Sequence, residues 1–185
     1  MPQNRGVIPI ETTLPWLVPG SMVALAVSIL ASGVVGRWLG VRRSIAAVGL
    51  FSLGVILAST LSPLDRAEVI APGLVRTCDL SRTWLASPSD LTQVNDVTLN
   101  ILLFVPLGWA LAIAPWSRRK LLLLVGAIAL PVAIEAVQLQ VSGLGRGCQA
   151  ADVVDNLTGL TIGLVAGLIV AWLAPGMRRP LEGSL

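Results

Sequence analysis

The sequence predicts an all-α integral membrane protein, a helical bundle of about five transmembrane helices. Three observations predict it. The 185-residue chain is 55% hydrophobic and 12% charged, with a mean hydropathy of +0.83, whereas a soluble domain carries about 25% charged residues. Apolar runs long enough to cross a hydrocarbon core, roughly 20 residues each, recur five times. The Lys and Arg residues gather in short clusters that follow alternate ends of those runs, which is a topology signal. With a net charge of only +3, this arrangement excludes a nucleic-acid surface. Histidine is absent, so Ser-His-Asp and Cys-His catalysis and His metal ligands are excluded too. Two cysteines are too few for a structural zinc site. No cofactor is expected.

The elements follow in order. Residues 1–13 form a polar, exposed N-terminal tail. Leu14 to Val35 carries no charge and is the first span, longer than the roughly 7–15 residues of a signal-peptide core. Arg37, Arg42 and Arg43 follow it, which places the N-terminus outside the cytoplasm. Ser44 to Leu61 is the second span, so residues 14–62 hold the first helical pair. Pro63, Pro72 and Gly73 mark the exit into an extracytoplasmic loop, residues 63–95. Within it, Leu80, Trp84, Leu85 and Leu91 suit a short helix lying at the membrane interface.

The third span runs from Asp96 to Ala114, with Asp96 placed to cap it. Arg118, Arg119 and Lys120 precede the fourth, Leu121 to Val141, where Pro131 is expected to introduce a kink. A Gly-rich turn leads to the fifth, Asp152 to Leu173, and residues 175–185 form a cytoplasmic tail carrying Arg178 and Arg179. Trp16, Trp38, Trp116 and Trp172 fall near span ends, as an aromatic belt requires, while Trp109 is expected to pack inside the bundle. Cys78 and Cys148 fall in the two outer loops, where disulfides are permitted. A bond between them would staple the long loop over the last turn; the alternative is two separate thiols.

The third and fifth spans open alike. DVTLN and DVVDN each place Asn four residues after Asp, and positions i and i+4 share a helix face. In the fourth span Glu135 and Gln138, at i and i+3, also share a face. Glu135 follows Lys120 by fifteen residues, about 22 Å at 1.5 Å per residue, which is well up a core about 30 Å thick. Asp96, Asn100, Glu135, Gln138, Asp152, Asp155 and Asn156 therefore fall in one slab near the outer surface, with Arg146 the nearest cation available to neutralise them. An ionised carboxylate in lipid costs about 2.5–3.5 kcal/mol even on a lenient scale. Glu135 must face the bundle, be protonated, or find partners. Intramembrane polar groups also act simply as glue between helices, at about 0.6 kcal/mol each. Four acids with two asparagines and a glutamine exceed what glue requires. Gly159, Gly163 and Gly167, spaced four apart, read as close helix packing.

With these residues in view, the chain resembles the VanZ-like family of small bacterial membrane proteins. The matching pieces are N-x-L-L-F-x-P-x-G at Asn100 to Gly108, Glu135 with Gln138, Arg146 after a Gly-rich turn, and D-x-x-D-N-x-x-G from Asp152 to Gly159. The likeness is strong over about residues 95–172 and general over the first two spans. The short turn with its cysteine, GLGRGCQAAD, departs from the family's pattern. The resemblance implies a multi-pass protein of the bacterial plasma membrane and a cell-envelope role linked to low-level teicoplanin resistance. It implies a site at the motif positions and no particular reaction.

Three functions fit the residues. In the first, the polar slab binds a cationic or hydroxyl-rich head group: a lipid, a lipid-linked wall precursor, or a glycopeptide antibiotic. In the second, Glu135 and Asp155, or Asp152, serve as acid and base on a lipid-linked substrate, or Asp152 and Asp155 hold Mg²⁺. In the third, Glu135 handles protons in a small transporter. The first is preferred, because no nucleophile motif is present and five spans are few for a carrier.

Overall fold

The computed structural model describes residues 16–63 and 77–174. The two terminal tails, and the Pro72–Gly73 exit signal, lie outside the described residues. Among the described residues, five α-helices are long and apolar enough to cross a membrane: α1 (Leu17–Leu39), α2 (Arg43–Thr60), α3 (Asp96–Ile113), α4 (Arg118–Gln140) and α5 (Ala150–Leu173). No strand is present among the described residues beyond one isolated bridge between Asp79 and Gln149. The chain is therefore an all-helical, multi-pass membrane protein.

The helix ends follow local chemistry. Gly40 adopts the left-handed conformation that closes α1. Asn95, not Asp96, caps α3. Its side chain accepts from the Thr98 N–H at 3.0 Å, and the Thr98 hydroxyl accepts from the Asn95 N–H at 3.0 Å. This reciprocal capping box makes Asp96 the first helical residue and leaves its carboxylate exposed. Ser117 caps α4 by accepting from the Lys120 N–H. Pro106 and Pro131 lie inside α3 and α4, and both helices continue through them.

A shared apolar core joins four helices. Ile56 of α2, Phe104, Leu107 and Leu111 of α3, Ala127 and Ile134 of α4, and Leu160 of α5 form one buried cluster. A second cluster near the opposite end joins Val41, Ile45 and Ala46 to Ala110, Ile113 and Ala114, with the half-buried Trp109 packed against it. Helix α1 contributes no residue to the first cluster and packs on α2.

The tightest seam is α3 against α5. A Cβ built on Gly159 would overlap the Ile101 carbonyl oxygen, and one on Gly163 the Val105 carbonyl oxygen. Gly167 meets Trp109 in the same way, one further turn along. The constant register shows that the two helices run parallel, backbone against backbone, as small residues permit in lipid.

The ends of the bundle differ. At the basic end, the buried Lys120 donates to the carbonyls of Ala112 and Ala114 at 3.1 and 2.8 Å, closing α3. Arg43 reaches α1 at the Ile29 carbonyl and the Ser32 hydroxyl. Arg119 stacks 5.0 Å from the Trp38 ring. The acidic end holds the start of α3 and α5 and the end of α2 and α4.

Candidate functional site

At the acidic end, four of the residues singled out in the sequence are buried: Glu135 and Gln138 at 4% exposure, Asp155 and Asn156 at 1%. Their immediate partners divide them by role. Gln138 donates from Nε2 to the Thr60 carbonyl at 2.8 Å. Arg146 donates to the carbonyls of Ser59 and Ser62 at 2.7 and 3.2 Å. A helix leaves its last carbonyls without intrahelical donors, and these two side chains satisfy them at the end of α2. They close the ring of four helices by tying α4 and the following turn to α2.

Glu135 accepts the Gln149 N–H at 2.7 Å, just before α5 begins. This ties the upper part of α4 to the start of α5. Arg146 and Asp152 are its charged neighbours. Burial lowers the pKa of Arg146, and Asp152, Glu135 and Asp96 act in the opposite direction. All three carboxylates therefore lie within electrostatic reach of that one guanidinium.

Asp155 is neutralised by Arg82, not by Arg146. The Arg82 guanidinium grips both carboxylate oxygens, at 3.0 and 2.5 Å, with Asp155 buried and Arg82 partly exposed. This fork-to-fork pairing raises the pKa of Arg82 further above its ordinary value. Nothing local in the sequence singles Arg82 out, because it sits in a loop with no periodicity. Its position follows from the staple. Cys78 and Cys148 are disulfide-bonded. Asp79 continues the join: its N–H donates to the Cys148 carbonyl at 2.8 Å, and its carbonyl accepts from the Ala150 N–H at 2.9 Å. Three residues later Arg82 reaches α5. Residues 78–82 thus form a strap across the first turn of that helix.

The strap is not helical. Between residues 77 and 95 the one helical element is a 3-10 turn, Asp90–Thr92. The expected interfacial helix through Leu80, Trp84 and Leu85 is replaced by extended chain and turns. At the start of this segment the N–H and carbonyl of Asp79 are paired with Cys148 and Ala150 and so are not available to a helix. Leu80, Trp84, Leu85 and Leu91 remain exposed, each by more than half.

Asn156 is the exception among the buried groups. Its Oδ1 has no hydrogen-bond partner among the described residues. Leaving a buried acceptor unsatisfied costs about 1–3 kcal/mol, and native structures rarely tolerate it without cause. Asp152 lies half-buried close by, with Asp155, Asp96, Arg82 and Arg146 as its charged neighbours. Asn100 is half-buried and Asp96 exposed at the start of α3. The end of the bundle thus gathers four carboxylates (Asp96, Glu135, Asp152 and Asp155) around two guanidinium groups (Arg82 and Arg146). Among the described residues these carboxylates outnumber the guanidinium groups, and one buried acceptor, Asn156 Oδ1, is spare. The Mg²⁺ pairing of Asp152 with Asp155 finds no third ligand: among the described residues, no group of three His, Cys, Asp or Glu is placed to hold a metal ion.

Fold and site together define a class: a small multi-pass helical membrane protein with a buried, acceptor-rich polar cluster at one end of a four-helix core. Residues 44–172, well over half of the chain, match the VanZ/LLP1 family. The chain belongs to that family. The matched range takes in α2 to α5, the four helices that share the core, and leaves α1 outside. Neither a curated protein nor a solved structure matches the chain.

Proposed function

We propose that this protein binds the head group of a membrane lipid or lipid-linked wall precursor at its acidic end, in the outer leaflet of the bacterial plasma membrane. The observation that carries the reading is the buried Asn156 Oδ1, without a hydrogen-bond partner among the described residues and near carboxylates that outnumber the described guanidinium groups. Such a site selects a ligand rich in hydrogen-bond donors, carrying an amine or several hydroxyls. A glycopeptide antibiotic of that chemistry is the form the ligand takes if the resemblance to teicoplanin-resistance proteins extends to this chain.

Two features support the orientation. The clusters Arg37/Arg42/Arg43 and Arg118/Arg119/Lys120 follow or precede helices at the opposite end, as cytoplasmic loops do. The Cys78–Cys148 disulfide lies at the acidic end and persists in an oxidising compartment.

The test compares purified protein in nanodiscs with phosphatidylethanolamine and with its N-methylated choline counterpart, by native mass spectrometry. Retention of the primary amine over the quaternary one is expected. Asp152→Asn and Asn156→Leu are the informative variants, because neither removes a hydrogen bond described above. A hydrogen bond to a charged group contributes about 1.5–3 kcal/mol, so each variant weakens amine retention by about tenfold or more. Equal retention by both variants and the parent overturns the reading.

A further inference from the structure

The polar cluster borders a second feature of a different kind. Beneath the disulfide, a groove of about 400 Å³ runs between α4 and α5, lined by Val132, Ala136 and Leu139 on one side and Val153 and Val154 on the other. Cys78 and Cys148 form its roof, and Glu135 stands in its wall without presenting a polar atom to it. Val132 lies eight residues below the end of α4, so the groove descends about 12 Å along the helix.

The groove exists because of how α5 divides its faces. Its glycines are turned to α3, where backbone touches backbone. Towards α4 it contributes Val153 and Val154 to the groove lining, and α4 contributes the small Ala136. The opening is continuous with the lipid-facing surface: Val132 is 57% exposed and Val137 39%. No polar atom lines the groove, so it suits hydrocarbon and not a head group.

We infer that this groove is a slot for one hydrocarbon chain of a membrane lipid, entering sideways from the leaflet, with its head group at the Asp152–Asn156 cluster. This deepens the head-group reading and rests on it for the identity of the ligand. It adds that an acyl chain of the ligand is held between α4 and α5 and that the ligand reaches the site from within the membrane, not from the aqueous phase.

The experiment uses the full chain in nanodiscs containing a phospholipid with a diazirine in its acyl chain near the ester. After irradiation, adducts are mapped by mass spectrometry. Adducts at Val132, Ala136, Leu139, Val153 and Val154 are expected about tenfold above those at Leu30 and Val34, lipid-facing positions on α1. Ala136→Trp fills the groove and is expected to return its labelling to the α1 level. Uniform labelling of the parent protein overturns the slot, whether or not the filled variant folds. The same map on Asn156→Leu separates the two readings. Groove labelling that survives while amine retention is lost supports the slot and the head-group site as distinct contacts. Failed amine selectivity with enriched groove labelling sinks the head-group reading alone.

Discussion

Replacing Asn156 with Leu is expected to move stability and binding in opposite directions. Asn156 is 1% exposed and its Oδ1 has no partner among the described residues. Exchanging an unsatisfied buried acceptor for an apolar group of similar shape removes a cost of about 1–3 kcal/mol. The neighbouring core receives the new side chain readily, because Leu160 lies one turn along on the same face, within the apolar cluster. A higher midpoint of thermal unfolding is therefore expected, followed by tryptophan fluorescence and by the fraction remaining monodisperse after heating. The same preparation loses amine-lipid retention. Asn156→Ala cannot overpack and is expected to agree in the sign of the binding change. A lower midpoint for both variants refutes the reasoning, because it means that the amide is satisfied by the fold itself and serves as glue. Unchanged binding in both refutes the functional half.

Other expectations follow from the strap and the seam. Arg82→Ala strands the Asp155 carboxylate, and removing one partner of a buried pair costs about 3–5 kcal/mol; adding Asp155→Asn in the same chain recovers part of the lost thermal stability, and no recovery argues against the pairing. Cys78→Ser alone is expected to cost about 2–4 kcal/mol and to abolish the mobility difference between reduced and unreduced samples on a denaturing gel; an unchanged difference rules out the intramolecular staple. Gly163→Ala puts a methyl group onto the Val105 carbonyl oxygen, so the protein is expected to elute as aggregate on size exclusion, whereas Gly126→Ala, with open space around it, elutes as the parent does.

Much of this fold is legible from composition and periodicity. The five spans are continuous apolar runs, and lipid demands that such runs be helices with their backbone groups satisfied internally. That the polar positions fall at one end of the bundle follows from the rise per residue, and the Gly159–Gly163–Gly167 spacing announces a close seam. Which helix each polar group faces is not encoded locally. Gln138 and Arg146 serve the end of α2 because α4 is a neighbour of α2, a relation that only the closed ring creates. Arg82 was hidden for a related reason. Its approach to Asp155 depends on a covalent bond spanning 70 residues, so the staple and the cation have to be read together. The cap of α3 turns on a single position: Asn95 and Asp96 are both competent acceptors, and the hydroxyl of Thr98 three residues on from Asn95 decides between them.

The glycine seam also determines where this molecule can yield. With carbonyl oxygens of α3 seated directly against α5, sliding either rod past the other would force atoms through one another, so the pair behaves as a stiff keel. Helix α4 meets that keel through side chains and is held at its upper end by discrete links to Gln149 and Thr60. On the proposed lipid-binding reading, the seam that yields to a guest is therefore the looser one between α4 and α5, where the groove lies, and not the α3–α5 keel.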